Sequence, residues 1–163
     1  MPKVRIDLDL ERCVACYACV IACLDQHCDV NESGPALRKA FRFENADGVI
    51  KCMSIGCMHC ADAPCLAACP TGAIYRDAET SLVQVDSSVC IGCRSCLMAC
   101  PFGAPQFTPE NRMVKCDGCL ERIRHGLEPV CVKTCPSGAL SLVRENEPAR
   151  SGSLRRRVFG NEL

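Results

Sequence analysis

The feature that most constrains this chain is residues 57–74, CMHCADAPCLAACPTGAI, where Cys57, Cys60, Cys65 and Cys69 crowd into one stretch closed by a Cys-Pro step. A short irregular loop with cysteines three apart aims successive sulfurs at one centre. The last cysteine, four residues on and on a predicted turn of helix, points elsewhere. Thiolates in this pattern are the way a chain wraps a cubane iron–sulfur cluster.

Three further runs repeat the pattern. The first, CVACYACVIAC, carries Cys13, Cys16, Cys19 and Cys23 and is followed by Leu24. The third, CIGCRSCLMAC, carries Cys90, Cys93, Cys96 and Cys100; the fourth has Cys116, Cys119, a longer arm, then Cys131 and Cys135. The second, third and fourth runs all close with Cys-Pro-x-Gly-Ala, an internal repeat that predicts a turn and a strand start after each cluster helix. In two-cluster ferredoxins the fourth cysteine of a run ligates the other cluster, so runs of this kind come in pairs.

Composition supports a fold held by sulfur chemistry. Cysteine is 18 of 163 residues, about 11%, above the roughly 8–10% that marks such scaffolds. Without the cysteines the apolar fraction drops from 48% to about 37%, and there is no tryptophan, which is lean for an ordinary core. Disulfides would belong to a secreted protein, but the N-terminal sequence has no apolar signal core and no twin-arginine pair. The cysteines are therefore expected to be reduced and metal-bound, in a cytoplasmic protein. The longest apolar run, residues 14–24, is shorter than the roughly 20 residues of a membrane span. The formal charge of zero would become about eight negative charges with four clusters loaded, which argues against a nucleic-acid partner.

Along the chain, alternation over residues 4–10 (Val4, Ile6, Leu8, Leu10) predicts a strand leading into the first run. Residues 25–40 read as a polar connector, and residues 37–43 and 49–52 as hairpin strands around Asn45-Ala46-Asp47-Gly48. Residues 75–86 read as strand, turn, strand, and residues 105–112 as a Pro-containing connector. The tail from Glu145, with Arg155, Arg156 and Arg157, reads as solvated or draped on a partner.

The second, third and fourth runs, quoted as CMHCADAPCLAACPTGAI, CIGCRSCLMACPFGAP and KCDGCLERIRHGLEPVCVKTCPSGAL, resemble four-cluster iron–sulfur electron-transfer subunits of the dimethyl sulfoxide reductase type, over about residues 4–143. Related subunits serve formate dehydrogenases, hydrogenases, carbon monoxide dehydrogenase and tungsten aldehyde oxidoreductases. The resemblance implies an α+β fold of two bacterial-ferredoxin-like units, one inserted in the other. Residues 1–51 and 108–163 would form the outer unit, and residues 52–107 the inner one. The hairpin-like link at residues 70–89 independently suggests that the second and third runs are partners.

Exchange of the last cysteine within each pair then implies four ligand sets for four [4Fe-4S] clusters: Cys13, Cys16, Cys19 with Cys135; Cys116, Cys119, Cys131 with Cys23; Cys57, Cys60, Cys65 with Cys100; and Cys90, Cys93, Cys96 with Cys69. The resemblance also implies that the cluster on Cys13, Cys16 and Cys19 lies nearest a catalytic centre. Cys28 and Cys52 are left over and read as small buried hydrophobes rather than extra ligands. His27, His59 and His125 are not needed as ligands, and His59 is expected to pack or hydrogen-bond. Arg94, Lys115, Lys133 and Asp117 flank ligands and are either potential-tuning charges or solvated surface.

No catalytic residues are expected: there is no Ser/His/Asp set, no phosphate-cradling glycine loop and no flavin or nicotinamide motif. The leading reading is a non-catalytic electron-transfer subunit bound to a molybdenum or tungsten pterin oxidoreductase subunit, with a further redox subunit or another copy of itself as second partner and no membrane insertion. A freestanding polyferredoxin is the alternative. A zinc protein built on C-x-x-C pairs is a third, opposed by the third cysteine that recurs at cluster spacing.

Overall fold

The computed structural model describes residues 3–28, 34–144, 147, 151–154 and 157. Its strands pair as four two-stranded antiparallel ribbons. Strand β1 (Val4–Leu8) pairs with β8 (Leu140–Arg144), so that Ile6 faces Leu142 and Leu8 faces Leu140. The other ribbons are local hairpins: β2 (Lys39–Glu44) with β3 (Ile50–Ile55), β4 (Ile74–Arg76) with β5 (Val83–Val85), and β6 (Gln106–Phe107) with β7 (Met113–Val114).

Helix length follows the residue after the fourth cysteine of each run. Proline cannot continue a helix and biases the residue before it away from helical geometry. Where Cys-Pro closes the run the helices are single turns: α2 (Pro64–Ala67), α3 (Ser95–Ala99) and α5 (Val130–Lys133). The first run has Leu24 instead, and α1 runs on over Ala18–His27. This corrects the connector expected to begin at Asp25. Helix α4 (Leu120–Arg124) fills the longer arm of the fourth run.

Helix α1 packs on α5, and α2 on α3, so the first run meets the fourth and the second meets the third. The cores between them are small and partly made of cysteine. One gathers Ile6, Leu8, Cys19, Met58, Cys131 and Leu140; another gathers Ala63, Ile74, Val83, Cys90, Cys96 and Met113. The connector expected at residues 105–112 instead forms the β6–β7 hairpin, because Met113, 1% exposed, completes the second core.

The tail also departs from expectation. Residues 151–154 lie back on β1: the Leu10 N–H donates to the Gly152 carbonyl, and the Ser153 hydroxyl donates to Asp7 Oδ1 at 2.7 Å. Leu154 joins the first core. Asp7 is consequently buried on the strand face that alternation assigned to solvent. Arg155 and Arg156 lie outside the described residues.

A polar turn ties the β4–β5 hairpin to the fourth run. Asp77 Oδ1 accepts from the Thr80 hydroxyl (2.7 Å) and N–H (2.9 Å), while Oδ2 accepts from Arg124 on α4 at 2.9 Å. The Thr80 hydroxyl, with help from Arg124, holds the Asp77 carboxyl below the usual carboxylate range. Asp77→Ala strands buried donors and should destabilise the loaded protein by about 1–3 kcal/mol. Arg124→Gln, which loses only the half-exposed ion pair, should cost less than about 1 kcal/mol. Anaerobic thermal melts of the two variants check the order.

Candidate metal centres

The four runs share a backbone device. In each C-x-x-C pair the residue before the second cysteine has positive φ: Ala15 (49°), His59 (44°), Gly92 (68°) and Gly118 (75°). That left-handed step turns the chain so that its N–H faces the first sulfur. His59 N–H lies 3.5 Å from Cys57 Sγ, Gly92 N–H 3.4 Å from Cys90 Sγ and Gly118 N–H 3.4 Å from Cys116 Sγ. Sequence reasoning missed this device. Glycine at two of the four positions was its visible trace.

Hydroxyls add a second set of bonds to sulfur. Thr71, Ser95 and Ser137 each follow a cysteine by two residues and reach Cys69 at 3.6 Å, Cys93 at 3.5 Å and Cys135 at 3.7 Å. The Ser95 hydroxyl lowers the Cys93 thiol below its ordinary range. At Cys69 and Cys135 burial pushes the other way, but hydrogen bonds from the Cys-Pro-x-Gly-Ala turn outweigh it. Such bonds to sulfur are one of the levers on cluster potential.

Thiols from different runs face one another. Cys13, Cys16, Cys19 and Cys135 line one pocket, and Cys69, Cys90, Cys93 and Cys96 line another. Cys23 lies in the field of Cys116, Cys119 and Cys131, and Cys57 in that of Cys65 and Cys100. Cys60 follows Cys57 through the left-handed turn at His59, and its carbonyl is held by the Arg76 guanidinium at 2.9 Å. The groups adjoin in a row. Arg38 lies in the fields of both Cys19 and Cys23, Cys57 acts on Cys116, and Cys65 acts on Cys96. Cys16 and Cys93, at the two ends, are exposed.

All eighteen cysteines are free thiols. Burial pushes Cys23 and Cys119 up to about 12, so loading metal must displace protons from sulfur. Unpaired thiols from different runs that converge on shared pockets, with N–H groups turned onto sulfur, fit a [4Fe-4S] cluster.

The remaining candidates divide. Cys28 caps α1 and Cys52 lies in β3; both are half-buried, more open than the buried hydrophobes expected. His59 is buried, and its Nδ1 accepts from the Val83 N–H at 3.0 Å, as a packing and hydrogen-bonding residue should. His27 Nε2 lies 3.4 Å from Asp117 and 3.9 Å from Cys119 Sγ; exposed His125 pairs with Glu121 at 3.1 Å. Arg94 stacks on Phe107 at 5.2 Å, and Lys133 is exposed. Lys115 is 4% exposed, and its Nζ donates to the Val83 and Cys116 carbonyls. Burial raises the Cys57 and Cys65 thiols and the Lys115 charge partly offsets it, which removes the solvated-surface reading for this lysine.

Comparison with known proteins agrees with this geometry. The 4Fe-4S dicluster domain family matches residues 47–145. The chain is 39% identical to the B subunit of the anaerobic dimethyl sulfoxide reductase of Haemophilus influenzae, over 85% of this chain and 73% of the relative. It is 40% identical to the thiosulfate reductase electron transfer subunit of Salmonella typhi, over 85% and 74%. To the iron-sulfur subunit of the nitrate-inducible formate dehydrogenase of Escherichia coli it is 35% identical, over 86% of this chain and 54% of the relative. The chain belongs to the 4Fe-4S dicluster domain family.

Proposed function

We propose that the chain is the electron-transfer subunit of a molybdenum or tungsten pterin oxidoreductase and conducts electrons through four [4Fe-4S] clusters between a catalytic subunit and another redox partner. The observation that carries this reading is the row of four cysteine groups with Cys16 exposed at one end and Cys93 at the other. The named functions of the relatives point the same way.

The ligand sets we assign are Cys13, Cys16, Cys19 and Cys135; Cys23, Cys116, Cys119 and Cys131; Cys57, Cys60, Cys65 and Cys100; and Cys69, Cys90, Cys93 and Cys96. The cavities and thiol neighbourhoods above support them. Packing of α1 on α5 and of α2 on α3 supports the nested arrangement, with residues 52–107 as a unit inserted between residues 1–51 and 108–163. Among the described residues no helix is long and apolar enough to cross a membrane.

Bound clusters supply reversible one-electron chemistry. The chain's own residues do the rest. The cysteines hold and space the sites. The left-handed residues and the hydroxyls of Thr71, Ser95 and Ser137 hydrogen-bond sulfur. Buried Ile6, Leu8, Leu82, Val83 and Met113 keep water from the interior groups. Anaerobic affinity purification tests the whole reading. About sixteen irons with matching sulfide and a co-purifying pterin-containing chain are expected. The same iron with no partner would favour a freestanding carrier, and zinc without sulfide would overturn the cluster reading.

A further inference from the structure

Arg38 immediately precedes β2 and is 2% exposed. Its Nη1 donates to the Ser54 carbonyl and hydroxyl, both at 3.2 Å, and the same hydroxyl lies 3.2 Å from Cys19 Sγ. Gly56 makes room for it: a Cβ there would stand 3.1 Å from Nη2 and 3.3 Å from Cζ. Nε is buried, and among the described residues it has no hydrogen-bond partner and no carboxylate pairs with the guanidinium.

A guanidinium does not shed its charge at any ordinary pH. Buried without an anion, a guanidinium is strongly destabilising. The anions at hand are thiolates. Arg38 lies in the field of Cys19, from the first ligand set, and of Cys23, Cys116 and Cys131, from the second. Gly56, Ser54 and the β2–β3 hairpin thus deliver one permanent cation to the junction between two cysteine groups.

We infer that Arg38 is a positioning residue for electron transfer: a shared counter-charge that raises the reduction potentials of the two clusters it lies between. The inference rests on the ligand sets proposed above. Reduction adds one electron, and so one negative charge, to a cluster. A fixed cation in a low-dielectric interior stabilises the reduced form more than the oxidised one. The effect should be largest at these two clusters, because the thiolates whose charges act most on Arg38 are Cys131, Cys116, Cys19 and Cys23, all from their ligand sets.

The test is a redox titration of the loaded protein followed by electron paramagnetic resonance, with Arg38→Gln and Arg38→Lys beside the unaltered chain. The two clusters are identified by the signals that Cys16→Ala and Cys131→Ala remove. In Arg38→Gln the reduced-to-oxidised ratio of both, read at their original midpoints, should fall about tenfold, equivalent to about 59 mV for one electron. The other two midpoints should stay in place, and Arg38→Lys should restore most of the loss. Unmoved midpoints, an equal shift in all four clusters, or a lysine variant as impaired as glutamine would overturn the inference. If Arg38→Gln does not retain its iron, Arg38→Lys decides alone: near-original midpoints support a charge role, and failure to load overturns it. Iron content keeps the two readings apart. Fewer than about sixteen irons in the unaltered chain would overturn the ligand sets and this inference together, whereas full iron with unmoved potentials would overturn only this one.

Discussion

Cys135→Ala is expected to abolish the cluster held by Cys13, Cys16 and Cys19 while sparing the one held by its near neighbours in sequence, Cys116, Cys119 and Cys131. The reason is the turn at Thr134, which ends α5 between Cys131 and Cys135. Cys131 faces inward from the helix, 3% exposed, toward Cys116 and Arg38. Cys135 leaves the helix at the Cys-Pro step and opens onto the cavity lined by Cys13, Cys16 and Cys19. Electron paramagnetic resonance of the reduced protein checks this. The signal missing from Cys135→Ala should be the one missing from Cys16→Ala, and Cys131→Ala should remove a different one. Iron should fall by up to about a quarter in each case, as loss of one cubane of four requires. If Cys135→Ala and Cys119→Ala removed the same signal, the exchange of fourth cysteines between runs would be wrong.

Gly92→Ala should be among the most damaging substitutions outside the cysteines. Gly92 has φ +68° and donates its N–H to Cys90 Sγ. A Cβ there would collide with Asn111 Nδ2 and with the Asn111 carbonyl oxygen, and would stand 2.7 Å from Asn111 Cγ. The amide could swing aside; the carbonyl belongs to the turn that closes the β6–β7 hairpin, where the Asn111 N–H bonds to Thr108. The left-handed conformation costs alanine about 1–2 kcal/mol, and overpacking adds about 1–3 kcal/mol. A total of about 2–5 kcal/mol is a large share of the roughly 5–15 kcal/mol that holds a domain together. Gly72 is the control: it too has positive φ (+67°), but nothing among the described residues lies within 4 Å of its Cβ position. Gly72→Ala should therefore cost only the conformational part. Anaerobic melts and the visible absorbance of the loaded proteins compare the two, and equal losses would refute the role given to Asn111.

The cysteine runs were legible because their chemistry is local: cysteines at this close, repeated spacing are the signature of cluster ligation whatever surrounds them. The same locality made the hairpin over residues 37–52 readable, its strands falling at Lys39–Glu44 and Ile50–Ile55 about Asn45-Ala46-Asp47-Gly48. Proline explains the departure at Asp25, where a connector was expected: the first run has Leu24 in place of the proline that closes the others, and α1 runs on to His27. The β6–β7 hairpin was missed because its strands are two residues each, too short for any alternation to register.

The chain by itself thus determined the number of cysteine groups, the α+β alternation of single helical turns with short strands, and the metal chemistry, since all of these depend on residues a few positions apart. Tertiary structure alone decided which charges act on which sulfurs. Arg38 and Lys115 are ordinary basic residues by spacing and composition, and neither flanking sequence distinguishes them from Lys133. Burial separates them: Arg38 at 2% exposure and Lys115 at 4% act through protein, where a charge is felt strongly, whereas Lys133 is exposed and screened by water.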